Sequence, residues 1–507
     1  MSQTGIGKAK QLGLGQAFKA NFLGDAPNWY KTTILVFLVL NPILMFTVGR
    51  YVTGWVLIAE FIFTLAMALK CYPLPAGGLL AIEAVVLGLT NPHTIYQEVA
   101  MNLPVILLLM FMVAGIYFMK DGLVYLFSKI LTKVHSKVAL AFLFSFMGAF
   151  LSAFLDALTV TAVIIAVAYG FYGIFHKYAS GESEKYAINN DDNIDDKHQQ
   201  DLNQFRGFLR NLMMHGAVGT ALGGATTLVG EPQNLLIGTI MEWDFVDFFL
   251  NCLPVSIPVL IVGLMTSILL EVTKFWGYGY QLPASVRKVM EDDVKAKEAA
   301  MDTRERVRLI VMAVAGVVLI FSLALHLAEV GIIGLMIIIL LTAFNGVTKE
   351  GEIGHAFEEA LPFTALLVVF FGVVAVIHDQ HLFAPIIQWV LNMEGQNQLV
   401  AFFVANGVLS AISDNVFVAT VYMSETLKAF EAGGIALEQY QKMAVSINMG
   451  TNIPSVATPN GQAAFLFLLT SALAPLIRLS YVEMVKLALP YTIVMSITGL
   501  LATMYLL

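Results

Sequence analysis

Apolar runs of 16 to 22 residues follow one another along almost the whole chain, separated by short polar stretches. About 20 apolar residues cross a bilayer as a helix. The pattern therefore predicts crossings at 32–49, 53–70, 74–90, 102–120, 207–241 (interrupted), 252–270, 307–326, 330–346, 361–378, 442–472 (interrupted) and 485–507. Two further apolar pairs, 138–153 with 157–175 and 397–412 with 415–428, stand apart because each turns around a polar tip. Stretches 121–136 and 380–395 are amphipathic: Leu123, Leu126, Phe127, Ile130, Leu131 and Val134 share one helical face, with Lys129 and Lys133 elsewhere. These read as helices lying in the interface on opposite sides of the membrane, arms between a fixed scaffold and a moving site. The longest polar linkers are 176–206 and 271–306.

The basic residues set the orientation. With the N-terminus cytoplasmic, and each apolar pair entering and leaving on one face, cytoplasmic segments hold 25 of the 28 Lys and Arg. Only Arg50, Lys428 and Lys442 fall on the far side. Letting either pair cross fully would reverse every later segment and spoil the asymmetry. Both pairs are therefore expected to be re-entrant hairpins, and the C-terminus to lie opposite the N-terminus.

Composition fits this picture. Of 507 residues 58% are hydrophobic and 13% charged, against about 25% charged in soluble domains. The net charge of −8 and the lack of a long basic tract exclude nucleic acid as a partner; the lipid bilayer is the expected one. The first 31 residues are polar and carry Lys8, Lys10, Lys19 and Lys31, so no cleavable signal is expected. Cys71 and Cys252 lack metal-ligand spacing and fall near opposite faces, so both are expected to be unpaired.

An internal repeat follows from one offset. Leu103-Pro104 through Asp121 lies over Leu361-Pro362 through Asp379 at 258 residues, and the same 258 carries Leu151-Ser152-Ala153-Phe154-Leu155-Asp156 onto Leu409-Ser410-Ala411-Ile412-Ser413-Asp414. Leu228 to Asn234 has a looser counterpart in Ser455 to Asn460, with Pro232 over Pro459; the first copy carries extra residues around Tyr178 to Asn203. Each copy holds five crossings and a hairpin, and five is odd, so the copies are inverted. The expected fold is all-α and polytopic. Residues 1–49 supply the N-terminus and first helix, and 50–270 the first repeat, with hairpin 138–175 and interrupted helix 207–241. A cytoplasmic linker, 271–306, leads to the second repeat, 307–507, with hairpin 397–428 and interrupted helix 442–472. Secondary transporters use this architecture, with the site near the midplane.

The tips and breaks carry the chemistry. Asp156 and Asp414 sit at the hairpin tips with Ser152, Ser410, Ser413 and Asn415 beside them. A carboxylate at membrane depth costs roughly 2.5–3.5 kcal/mol and usually lines an ion or proton path. A helix N-cap would explain either Asp alone; two at symmetric positions argue for a site. Gly223-Gly224 through Pro232, and Pro454 through Gly461, cannot remain regular helix. Their freed carbonyls, with Thr226, Thr227, Asn234, Ser455, Thr458 and Asn460, offer oxygen ligands, and Glu231 is a third carboxylate at the break or a solvated turn. Oxygen donors without Cys or a His cluster suit a hard ion such as Na⁺, held through Asp156 and Asp414. No Lys or Arg lies inside a predicted membrane core, so an anion finds no basic clamp. Burial raises carboxyl pKa values, so a buried Asp that takes either H⁺ or Na⁺ makes the simplest antiport site. His215 is a pH-sensing candidate or a histidine bonded across helices. Glu60 and Glu83 are pathway residues or bonded to neighbouring helices. Asp191, Asp192, Asp195 and Asp196 read as a solvated linker.

The LSA-x-x-D tips and the TLVGEPQN break resemble the ion transporter superfamily, which includes arsenite, citrate and dicarboxylate carriers. From MSQTGIGKAKQLGLGQAFKANFLGDAPNWYK onward the chain resembles NhaB-type sodium/proton antiporters of Gram-negative inner membranes. That resemblance implies exchange of cytoplasmic Na⁺ (with Li⁺ as a second cation) for periplasmic H⁺, in a homodimer, by an elevator motion, with no cofactor beyond the transported ions and no enzymatic activity. The dicarboxylate carriers' Ser-Asn-Thr tips fall on Leu155-Asp156-Ala157 and Ser413-Asp414-Asn415, which do not match and argue against a carboxylate substrate. Two readings compete with the antiporter. A Na⁺-coupled organic-anion or oxyanion symporter of the same fold should take up Na⁺ only with its substrate. An intramembrane aspartyl protease should carry GxGD, which is absent at both tips.

Overall fold

The computed structural model describes residues 13–181, 187–192, 194–358, 360–393, 395–413 and 415–507, all helix and connecting turn with no strand among them. The chain forms two compact units, one ending at Tyr96 and completed by Val368–Leu382, the other built from Gln97–Leu367 and Phe383–Leu507. Among the described residues, six helices of 18 residues or more are apolar enough to cross a membrane: Asn28–Thr47, Ala157–Ala179, Phe245–Thr273, Thr303–Ala324, Leu361–Asp379 and Tyr481–Leu506. Pro73–Val86, Lys137–Ser152 and Val330–Asn345 are shorter apolar helices.

In the first unit, α1 (Asn28–Thr47), α2 (Arg50–Ala66) and α3 (Pro73–Val86) meet around Tyr30, Ile34 and Ala76, with Phe63 stacked on Tyr30. Pro73 opens α3 at a position where its missing amide hydrogen leaves no bond unmade. Asn41 of α1 is fully buried, and its amide donates to Glu60 of α2 at 2.7 Å and Glu83 of α3 at 2.8 Å. Both glutamates are thus bonded across helices. At the far end of this unit Asp379 accepts from Thr90 and from Asn91.

The second unit opens with an irregularity that the apolar run 102–120 does not announce. A π-helical turn, Leu108–Met112, sits between Leu103–Leu107 and Val113–Tyr117. It backs onto Gly334, where a Cβ would lie 2.7 Å from the Met112 nitrogen. Next come α4 (Lys120–Lys133), α5 (Lys137–Ser152) and α6 (Ala157–Ala179). On α4 Leu123, Phe127 and Leu131 are buried, as the amphipathic pattern requires, while Leu126 is exposed. With 23 residues, α6 is itself long enough to span, so length does not restrict this arm to a re-entrant path.

Further along lie α7 (Asp196–Gly224), α8 (Pro232–Met241), α9 (Phe245–Thr273) and α10 (Ala284–Ala300). The linkers are more ordered than polarity suggested. Residues 271–306 contain α10, which buries Val286 and Met290 and whose Glu298 accepts from Tyr125 at 2.9 Å and pairs with Lys129. Asp191 departs from the solvated linker expected there: the Arg206 guanidinium forks onto it at 2.9 and 2.9 Å and holds its carboxyl below the usual carboxylate range.

The chain then forms α11 (Gln396–Ser410), α12 (Asn415–Glu431), α13 (Leu437–Asn452), α14 (Ala463–Thr470) and α15 (Tyr481–Leu506). Before them, the amphipathic stretch 380–395 holds a helix only over Ala384–Leu391. Packing is matched in the two halves: α5 runs along α7, and α11 along α13. The long hairpin arms are exchanged, α6 packing on α14 and α12 on α8. Cys71 and Cys252 are both free.

Candidate ion-binding site

Asp156 is 1% exposed. It leaves α5 in extended backbone and caps α6, its Oδ2 accepting from the Thr159 amide at 3.1 Å and the Thr159 hydroxyl at 3.4 Å. Capping explains a small polar residue here; Ser, Thr or Asn would cap as well. It does not explain a buried charge, which is the costlier choice in an apolar setting.

Beneath this tip lies the first break, residues 225–231. Thr227 donates to the Ala153 carbonyl at 2.5 Å, and the Ala157 amide reaches the Gly230 carbonyl at 3.4 Å. Thr226 donates to the Gly223 carbonyl at 2.6 Å, while Asn234 of α8 donates to the carbonyls of Gly224 and Thr227, both at 2.7 Å. The break is therefore a folded loop clamped to the tip. Close approach demands glycine: a Cβ on Gly223 would stand 1.8 Å from the Ala149 carbonyl oxygen, and one on Gly230 2.8 Å from that of Ser152. Glu231 is buried at the head of α8, not a solvated turn.

The second break repeats these contacts. Thr458 donates to the Ala411 carbonyl at 2.6 Å, Ser455 to Asn452 at 2.6 Å, and a Cβ on Gly461 would stand 2.3 Å from the Ser410 carbonyl oxygen. Ala411 and Ser410 lie 258 residues beyond Ala153 and Ser152, but Thr458 and Gly461 lie 231 beyond Thr227 and Gly230. Matching Pro232 to Pro459 thus sets the register four residues off. In contact terms Glu231 corresponds to Gln462, which the sequence reading missed. The signal was present: Thr-x-x-Gly followed by Glu at 227–231 and by Gln at 458–462.

Among the described residues, several polar atoms around these tips are buried without a partner: the hydroxyls of Ser152, Ser410 and Ser413, the Asn415 carbonyl oxygen, and both side-chain heteroatoms of Gln462. Unpaired buried groups are rare and ask for a ligand or a change of state. Asn460 is half-buried. Asp414 lies outside the described residues.

An amide cluster joins the two breaks. Asn452 donates to Asn234 at 3.0 Å and to the Asn448 side chain at 2.9 Å, and accepts from Gln233 at 2.8 Å. Nearly three turns of α7 before the first break, His215 lies fully buried with Nδ1 on the Tyr491 hydroxyl at 2.6 Å and Nε2 on Glu271 at 2.7 Å. Lys137 approaches the same Glu271 oxygen at 3.2 Å. The sequence reading missed Glu271, which lies at the polar end of an apolar run. Among the described residues no three His, Cys, Asp or Glu side chains gather as a metal site; a hard cation would have to use carboxylate, hydroxyl, amide and carbonyl oxygens together.

Buried polar groups set on broken helices within an apolar bundle define a multi-pass membrane protein of the ion-transporting class. The family model described as bacterial Na⁺/H⁺ antiporter B (NhaB) matches residues 10–507. The chain belongs to that family. A relative named Na⁺/H⁺ antiporter NhaB from Saccharophagus degradans is 64% identical over 96% of this chain and 97% of its own length. Relatives of the same name from Marinomonas sp. and Teredinibacter turnerae are 60% and 62% identical, over 97% and 96% of this chain and 99% and 98% of their own lengths. Antiport is transport rather than catalysis, and these names lend no support to the symporter or protease readings.

Proposed function

We propose that the protein exchanges cytoplasmic Na⁺, or Li⁺ in its place, for periplasmic H⁺ across a bacterial inner membrane, with Asp156 and Asp414 as the exchangeable sites. The observation that carries this reading is a fully buried carboxylate, Asp156, at a tip clamped onto an unwound helix, with the buried Ser152 hydroxyl on the same tip without a partner among the described residues. A proton and a Na⁺ leave the same net charge on one carboxylate, so either neutralises it and neither needs the other. The empty carboxylate alone retains the charge penalty of an apolar site. Translocation is then cheap when the tip is loaded and costly when it is empty, which enforces exchange.

Around Asp156 the ligand oxygens would come from Ser152, Thr226, Thr227, Glu231 and Asn234. Around Asp414 they would come from Ser410, Ser413, Asn415, Ser455, Thr458 and Asn460, to which we add Gln462. The matched contacts at offsets of 258 and 231 support reading the halves as inverted repeats, each with a re-entrant hairpin, moving as an elevator within a homodimer. The N-terminus is assigned to the cytoplasm and the C-terminus to the periplasm from the distribution of basic residues. His215 serves as a pH sensor: a second ring proton would force a new arrangement with Tyr491 and Glu271.

The test is transport in proteoliposomes under an imposed pH gradient, followed with a trapped pH dye. Na⁺ alone should dissipate the gradient in wild type, and neither Asp156→Asn nor Asp414→Asn should respond, although both reach the membrane. Wild-type activity in both variants would remove the carboxylate mechanism; a response only after adding an organic anion would favour symport. In a cysteine-free background, cysteines placed at Lys185 and Glu242 should be labelled from opposite sides.

A further inference from the structure

At the start of α7, remote from the tips, three guanidinium groups converge on one polar cavity of 300 Å³. Arg206 and Arg210 come from α7 and Arg478 from the turn that follows α14; Gln200, Asn203 and Gln204 supply amides. The charges do not balance. Asp191 is the one carboxylate within ion-pair reach among the described residues, and Arg206 occupies it with its fork while Arg478 stands 3.8 Å away.

The three arginines differ in what remains open. The Arg206 donors go to Asp191, to the Tyr172 hydroxyl at 2.7 Å and to the Leu476 carbonyl at 2.9 Å. Arg210 donates once, to the Ile477 carbonyl at 3.0 Å, lies over the Tyr280 ring, and has a buried Nε without a partner. Arg478 is held at the rim in a left-handed backbone conformation, φ 54°, by a turn in which Leu479 bonds Ala474 at 2.8 Å; most of its side chain is open. A guanidinium cannot shed its charge by losing a proton. An orienting role for Arg206 is complete as it stands, whereas Arg210 and Arg478 keep unused donors facing the same space.

We propose that this cavity binds a phosphate-bearing anion, held between Arg210 and Arg478. Planar forks match phosphate oxygens, the amides can complete a phosphate's acceptor set, and basic pockets between membrane helices at a bilayer surface take up anionic headgroups. The anion would join α7, which leads into the first break, to the segment that leaves the second.

The experiment uses purified, delipidated full-length protein and reads the thermal unfolding midpoint against added dioleoyl phosphatidylglycerol, phosphatidylcholine or inorganic phosphate. Phosphatidylglycerol should raise the midpoint and phosphatidylcholine should not. Loss of one charged contact should weaken half-saturation about tenfold in Arg210→Gln and in Arg478→Gln, with Arg304→Gln, far along the chain on an exposed helix start, as control. Arg478 is exposed, so Arg478→Gln keeps the fold even where Arg210→Gln loses it. An equal response to inorganic phosphate, lost in the same variants, would make the occupant a soluble phosphate. No response to either anion, or a response identical in wild type and Arg478→Gln, would overturn the proposal.

Discussion

Alanine at Gly223 probes the contact on which the site rests. The new Cβ would stand 1.8 Å from the Ala149 carbonyl oxygen and 2.5 Å from its Cα, where ordinary contact begins at 3.4 Å. About 1.6 Å of separation is missing, and the obstacle is backbone, which cannot rotate aside as a side chain can. Overpacking of this kind costs roughly 1–3 kcal/mol. Relief requires α5 and α7 to part, and the Thr227 bond to Ala153, 2.5 Å long, breaks as they do. Gly219→Ala, with its Cβ 2.2 Å from the Ser145 carbonyl oxygen, should be nearly as severe, and Gly450→Ala, 2.6 Å from that of Phe403, milder. Gly170, on α6, has nothing within 4 Å of an added Cβ and is the control. The assay pairs the unfolding midpoint in detergent with Na⁺-dependent gradient dissipation in proteoliposomes. Both should fall in the order of the clashes, with Gly170→Ala unchanged. Gly223→Ala matching wild type in both assays would refute the backbone contact.

Thr227→Val, similar in shape but unable to donate, should lower the unfolding midpoint by the equivalent of about 1 kcal/mol and reduce exchange, whereas Thr227→Ser should retain both; the two are compared in the same vesicles. Asn452→Leu strands the Gln233 amide and the Asn234 carbonyl oxygen in a buried site, about 1–3 kcal/mol for each, and should reduce expression or the midpoint more than Asn460→Leu does. Asp191 tests pH dependence. Arg206 holds its folded pKa below the unfolded value, so its stabilisation is present above the unfolded value, near 4, and is lost as pH falls through the folded value. From pH 7 downward wild type should therefore lose more of its midpoint than Asp191→Asn, with the two converging in acid; parallel curves would show that the ion pair contributes nothing.

Much of the architecture was legible because bilayer thickness imposes a length on apolar runs. The helix ends at Ser152 and Ala157, the irregular segment 225–231 and the amphipathic α4 lie where the pattern put them. Boundaries drifted where polarity and helix formation part company: α10 is charged on most faces, yet two apolar positions, Val286 and Met290, suffice to dock it. The polar stretch after α6 reads as an insertion, and the fall in offset from 258 to 231 leaves 27 extra residues there; its last part is helix, the start of α7, whose amphipathic turns bury Leu202 and Phe205. The register of the second break was misread because proline is conspicuous while the positions that matter are the glycines, fixed by contact with the opposite backbone. Gln462 was missed with that register, and Glu271 for a different reason. Nothing local to a sequence marks a polar side chain whose surroundings come from helices far along the chain, as Tyr491 does for His215.

The cluster of Gln233, Asn234, Asn448 and Asn452 contains amides alone. None of its members gains or loses a proton anywhere in the range of pH a cell meets, and none carries a charge that salt could screen. The clasp between the two halves therefore does not itself titrate, and of its four members only Asn234 is also an oxygen donor beside the first break. Substituting Asn452 by Asp would end that neutrality and make the joint itself respond to the gradient.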